Sequence, residues 1–171
     1  RSGTFRRVTG PRRLSQAISE GDGISLIVAV RDADGARRAE AAGAEALLAE
    51  DALDAIRASS ALPIVTSAGT AGDARIVCPG DDDVELGEGV ELVVQVEREE
   101  ELDEALERFD PELFVLAAPD GGEDRLEHVL DLLSDLPAGK LAIADLREAT
   151  QPQIDELERA GVDAVLLREL P

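Results

Sequence analysis

Val90–Pro119 reads VELVVQVEREEELDEALERFDPELFVLAAP. Leu92-Val93-Val94-Gln95-Val96 is a short β-branched run, the mark of a strand covered on both faces. Four acidic residues then fall within Glu97–Glu101, where a helix N-terminus favours negative charge. Leu102, Ala105, Leu106 and Phe109 follow at helical spacing and form one apolar stripe. Asp110-Pro111 ends the helix, and Leu113–Ala117 is the next buried strand. A strand–helix–strand unit of this length implies two parallel neighbours joined by a right-handed crossover.

The same unit recurs in both directions. Toward the N-terminus, Leu14–Glu20 predicts a short helix with Leu14, Ala17 and Ile18 on one face. Ile24–Val30 is a strand, Asp32–Ala42 a helix closed by Gly43, and Ala44–Ala49 a second strand. Asp51–Ser59 is a helix with Leu53 and Ile56 inward, and Pro63–Ser67 a third strand. Here the rhythm breaks. Ala74–Cys78 reads as a fourth strand, yet 68–73 before it and 79–89 after it are too short for crossover helices. Toward the C-terminus, Glu123–Leu133 predicts a helix with Leu126, Val129, Leu130 and Leu133 buried. Leu141–Ala144 is strand seven. Thr150-Gln151-Pro152-Gln153 is a capping box with proline in the first turn. Ile154, Leu157 and Ala160 face inward, Gly161 stops the helix, and Ala164–Leu167 is strand eight.

Eight buried strands predict a compact (β/α)8 barrel with shortened or missing helices between strands 3 and 5. An open doubly wound sheet fits less well. Its Gly-rich phosphate loop is absent after the first strand, where Arg31-Asp32-Ala33-Asp34-Gly35 stands. The expected division is a basic N-terminal arm over residues 1–13 and a single barrel domain over 14–171.

Composition narrows the function classes. The 171 residues hold 38 acidic and 17 basic side chains, a formal net charge of −21. All the cations except Lys140 are arginine. A nucleic-acid partner is not expected, because phosphate binding needs a basic face. The acid-rich, lysine-poor surface fits either a salt-loving protein or a merely acidic one. The core must be aliphatic, with three Phe and no Tyr, Trp or Met. No apolar run approaches a membrane span and no signal peptide is visible. The single cysteine, Cys78, excludes an internal disulfide and fits a reducing cytoplasm.

Several stretches together resemble one family. RLSQAISEGDGISLIVAVRDAD (13–34), LPIVTSA (62–68), LVVQVEREEELDEAL (92–106) and LAIADLREATQPQIDELERAGVDAVLLREL (141–170) resemble, in order, segments of indole-3-glycerol phosphate synthase, a lyase of tryptophan biosynthesis. The resemblance implies a barrel with its site at the C-terminal strand ends. It also implies catalytic residues that this chain mostly lacks. Ala29 and Arg31 stand where the family has a glutamate and a lysine, and Ser67 where it has a second lysine. Gln95 replaces a glutamate and Ala117 an asparagine. Ile143-Ala144-Asp145 replaces a Glu-Ser-Gly, and Arg168-Glu169 a glycine-serine phosphate loop. Arginine holds its proton too tightly to serve as the acid, and glutamine is no base.

The expectation is therefore a degenerate, shortened member with a binding, regulatory or structural role. The alternative is an active lyase, or another enzyme acting on a small phosphorylated or anionic metabolite. Candidate ligand-binding residues are Arg31, Ser67, Gln95, Asp145, Arg147 and Arg168. No catalytic residue, metal or cofactor is assigned, and the oligomeric state is left open. Either Arg31, Arg147 and Arg168 converge on an anion, or they pair with Asp32, Asp145 and Glu169 and plug the mouth. Asp81-Asp82-Asp83 reads as a solvated turn, His128 as a surface residue, and Cys78 as a small buried apolar group.

Overall fold

The computed structural model describes residues 13–122 and 124–169. The basic arm, apart from Arg13, lies outside the described residues, as do Glu123 and the last two positions. In chain order the elements are α1 (Arg13–Glu20), β1 (Ser25–Ala29), α2 (Ala33–Ala41), β2 (Ala46–Leu48), α3 (Leu53–Ser59), β3 (Ile64–Thr66) and β4 (Ala74–Val77). Then come β5 (Glu91–Val96), α4 (Glu99–Arg108), β6 (Leu113–Ala117), α5 (Arg125–Asp135), β7 (Leu141–Arg147), α6 (Gln151–Ala160) and β8 (Ala164–Leu167). All eight strands run parallel in sequence order, and β8 closes on β1 through Ser25–Ala164 and Ile27–Leu166 pairing. The expected closed barrel is the observed one.

Alternation along the strands sorts the core into an inside and an outside. Ile27, Val65, Val93, Val115, Ile143 and Leu166 point into the barrel and meet Leu14 and Ile18 of α1, which closes its N-terminal end. The intervening residues point out to the helices. Val94, Phe114 and Val165 pack against α4, α5 and α6, and Val28, Leu47 and Ile64 against α2 and α3. Removing each such apolar side chain from water contributes about 1.5–3 kcal/mol.

Helix ends follow local chemistry. Asp32 caps α2 by accepting the Gly35 N–H at 2.7 Å, and Gly43 follows it at φ +97°. Thr150 and Gln153 cap α6 reciprocally, with the Thr150 N–H donating to Gln153 Oε1 at 2.9 Å. Two burial expectations shift by a fraction of a turn. Leu132 is buried in α5, whereas Leu130 and Leu133 are half-buried beside it. Ala160 is exposed, because α6 turns its last residue away from the sheet.

No helix joins β3 to β4 or β4 to β5. The connections cover the sheet themselves. At Gly72 a Cβ would sit 2.8 Å from Thr66 Cγ2 and 3.0 Å from the Ile64 carbonyl, so the backbone lies directly on β3. A Cβ on Gly87 would meet the Thr70 carbonyl at 2.9 Å, which places the second connection against the first. Asp73 ties this region to the rest. It accepts the Ile64 N–H at 2.8 Å and pairs with Arg13 and Arg57, each at 3.3 Å.

Candidate functional site

The C-terminal strand ends form a rim on which Arg31, Arg147 and Arg168 follow or end β1, β7 and β8. Among the described residues, Asp145 is the only charged side chain buried there, at 6% exposure. Its Oδ1 accepts the Arg147 N–H at 3.0 Å, and its Oδ2 accepts from the Arg168 guanidinium at 3.1 Å. The strand was expected to stop at Ala144. It continues to Arg147 through an irregularity between Asp145 and Arg147, opposite Leu166 and Leu167 of β8. Arg147 itself takes φ +65°, a left-handed conformation costly for a residue with a Cβ.

The pairing matches the plug alternative only in part. Arg168 does pair with Asp145. Arg147 donates to Asp120 instead, and Arg125 of α5 reaches the same Asp120 oxygen at 3.2 Å. Two guanidiniums thus share one carboxylate, and that carboxylate is 76% exposed. Arg31 does not pair with Asp32, whose carboxylate is engaged in capping α2.

Two pockets flank Arg168. One, of about 440 Å³, lies between β1, α2 and β8 and is lined by Ala29, Arg31, Asp32, Arg38, Arg168 and Glu169, among others. The second, of about 540 Å³, lies between α5, β7 and β8 and is lined by Arg125, Leu146, Arg147, Glu148, Arg168 and Glu169. Of the arginines in the described residues, Arg31 and Arg38 alone make neither an ion pair nor a side-chain hydrogen bond, and both line the first pocket. Arg38 was missed from the sequence. It stands on α2 rather than at a strand end, and no local pattern marks it as part of the rim.

The other two expected residues lie apart. Ser67 lines neither pocket, and its N–H and hydroxyl both donate to Glu50 Oε1, at 2.8 and 2.7 Å. A carboxylate already fills the direction from which an anion would approach it. Gln95 is half-buried on β5, lines neither basic pocket and makes no hydrogen bond with its side chain among the described residues.

Three smaller expectations are settled on this side of the barrel. Cys78 is exposed, not buried, because it stands just past the end of β4. Partial desolvation pushes its thiol pKa up, and the negative charges of Asp81, Glu101 and Glu97 push it further. His128 is half-buried and donates from Nε2 to the Glu97 carbonyl at 2.5 Å, tying α5 to the end of β5. Asp81, Asp82 and Asp83 are solvated as expected, with Asp81 accepting the Cys78 N–H at 2.8 Å. Among the described residues no group of His, Cys, Asp and Glu is arranged to hold a metal, and no helix is long and apolar enough to cross a membrane.

The sequence matches no protein-family model and no curated protein. Solved structures do match. A crystal structure described as a "putative phosphonomutase" from Burkholderia cenocepacia superposes with a TM-score of 0.63 at 14% identity, over 91% of this chain and 92% of that one. The N-acetylmannosamine-6-phosphate 2-epimerase from Clostridium perfringens superposes with a TM-score of 0.67 at 14% identity, over 84% of this chain and 86% of that one. At that identity the likeness establishes the barrel fold of this chain.

Proposed function

We propose that this barrel binds a small anionic, phosphate-bearing metabolite in the pocket between β1, α2 and β8, without catalysing the lyase reaction of the indole-3-glycerol phosphate synthases it resembles. One observation carries the reading. In a chain of net charge −21, two arginines that have no carboxylate partner among the described residues line one pocket, and a third, Arg168, lines it too. Leaving guanidiniums unpaired in so acidic a protein favours an external anion as their partner. The two structural neighbours are named for phosphonate and sugar-phosphate chemistry, which agrees with this ligand class. The lone Cys78 agrees with a cytoplasmic setting.

The lyase needs a proton donor and a carboxylate base across the mouth. The chain has one lysine, Lys140. It stands just before β7, at the opposite end of the barrel, and pairs with Asp110 at 2.7 Å. Gln95 and Ser67 supply neither group. A second reading, an enzyme acting on the same class of metabolite, draws on Asp145, a buried carboxylate at the rim.

Titration calorimetry with inorganic phosphate tests the binding reading. Saturable binding is expected, weakened about tenfold or more by Arg31→Ala with Arg38→Ala, since hydrogen bonds to charged groups contribute about 1.5–3 kcal/mol each. Binding that ignores both substitutions would refute it. Incubation with the carboxyphenylamino sugar phosphate precursor, followed by indole fluorescence, is expected to show no turnover above background. Turnover comparable to that of an authentic synthase would reject the non-lyase half.

A further inference from the structure

We infer that the ligand carries two anionic groups, one seated between Arg31 and Arg38 and the other between Arg125 and Arg147, with Arg168 between them. The inference rests on the anion-site reading above and extends it to the second pocket. The two pockets are adjacent and share Arg168 and Glu169 as a common wall. Each is lined by two further arginines, Arg31 and Arg38 in the first and Arg125 and Arg147 in the second. A single compact anion reaches one pair; a chain-like ligand with a charge at each end reaches both.

The second pocket is prepared for an anion in a different way from the first. Its arginines are held together by Asp120, and Asp120 does not line the pocket. The carboxylate therefore positions two guanidiniums side by side while leaving the pocket face of the pair open. Exposed ion pairs of this kind are worth little, about 0–1 kcal/mol, so little is lost when the two guanidiniums turn part of their hydrogen bonding to an incoming phosphate. The backbone also serves the placement of Arg147. Asp145 Oδ1 holds the Arg147 N–H, and the residue accepts a left-handed φ of +65° that turns it off the strand line. Strain kept at a charged residue beside a pocket is a feature of ligand-holding positions. Glu148 and Glu169 line the same pocket and repel an anion, so a ligand gains there only by meeting the arginines directly.

The two pockets impose a ligand length as well as a charge. The ligand must pass over Arg168, whose guanidinium is held by Asp145 from the barrel side. Arg168 is 47% exposed, so its outer edge is free to contact the linker or either terminal group. A bisphosphate, or a phosphate joined to a carboxylate through a short carbon chain, has that form.

Calorimetry on the intact chain in about 0.15 M KCl, where surface charge is screened beyond about 8 Å, compares inorganic phosphate with butanediol bisphosphate. The bisphosphate is expected to bind about tenfold or more tightly than phosphate. Arg125→Ala with Arg147→Ala is expected to remove that advantage and leave phosphate affinity within about twofold. Asp120→Asn acts in the opposite direction. It keeps an oxygen to which both guanidiniums can donate but removes the negative charge that offsets theirs, and it is expected to tighten the bisphosphate while phosphate affinity stays constant. That gain is not produced by a damaged fold. If phosphate binds but the bisphosphate binds no more tightly, the two-anion inference fails and the anion site stands. If Arg125→Ala with Arg147→Ala weakens both probes equally, the second pocket is no separate subsite and the inference fails. If phosphate does not bind at all, the anion-site reading itself fails and takes this inference with it.

Discussion

Glu91, the first residue of β5, caps α1 from 77 positions away in the chain: its Oε1 accepts the Leu14 N–H at 2.9 Å and the Ser15 N–H at 3.1 Å. The carboxylate is 5% exposed and faces inward at the closed end of the barrel. One side chain therefore satisfies two orphan donors of the plug helix and fixes Leu14 and Ile18 over the barrel interior. Glu91→Ala strands both donors in a buried place. The expected loss is about 2 kcal/mol, a fall in Tm of about 4–8 °C for a chain of this size. Glu91→Gln keeps an acceptor oxygen and is expected to lose less. Equal melting of the two variants would show that the cap contributes nothing.

The connections that replace two helices depend on Gly72. A Cβ there meets Thr66 Cγ2 at 2.8 Å and the carbonyls of Ile64 and Ala74 at 3.0 and 3.1 Å. The carbonyls belong to paired strands and have no room to retreat. Gly72→Ala is expected to cost about 1–3 kcal/mol in urea denaturation. Gly80→Ala is the control, because nothing lies within 4 Å of its Cβ position, and a change within about 0.5 kcal/mol is expected there. A harmless Gly72→Ala would mean that the connection does not lie on β3.

Stability is expected to rise with salt. At net charge −21 the folded chain repels itself, and added KCl screens that repulsion. Thermal melts in about 0.1 M and about 2 M KCl read the effect. Sulfate is unsuitable, because it strengthens apolar burial as well. A midpoint that stays constant or falls would argue against a salt-adapted surface.

The Cys78 thiol is expected to be slow toward alkylating reagents. Desolvation and the charges of Asp81, Glu101 and Glu97 all raise its pKa, so less thiolate is present at any given pH than in an unfolded chain. The rate–pH profile of the folded protein should therefore lie to higher pH than that of the protein in urea. Asp81→Asn removes one of the charges and is expected to move the profile back toward lower pH. A folded profile that coincides with the unfolded one would contradict this.

The barrel was legible because every strand holds a short run of adjacent apolar residues, and because Gly43, Gly161 and Thr150 mark helix ends by local chemistry alone. The end of β7 was not. Asp145 and Arg147 interrupt the apolar run, and hydropathy carries no sign of an irregular step that keeps a charged strand paired. Cys78 was misplaced for the converse reason, since an apolar-looking residue after Val77 need not lie inside the barrel. Of the candidate site, Arg31, Asp145, Arg147 and Arg168 were read from the strand ends. Arg38 and Arg125 were missed because they reach the rim from helices. The sharing of Asp120 by Arg125 and Arg147 joins residues 22 positions apart across two elements, and it has no local signature.

Arg147 separates a stability role from a ligand role. Its left-handed φ of +65° costs a residue with a Cβ about 1–2 kcal/mol, and glycine avoids that cost. Glycine in turn adds about 0.5–1 kcal/mol of chain entropy to be lost, and the exposed pair with Asp120 is worth about 0–1 kcal/mol. These terms nearly cancel, so Arg147→Gly is expected to unfold in urea within about 1 kcal/mol of the parent. Arg147→Val removes the same ion pair but forces a β-branched residue into the same conformation, and it is expected to fall about 2 kcal/mol lower than the glycine variant. If both variants lose the same amount, the left-handed backbone is not what the position must satisfy. If the glycine variant keeps its stability and loses bisphosphate affinity, the arginine is held in a strained place for its guanidinium and contributes nothing to folding.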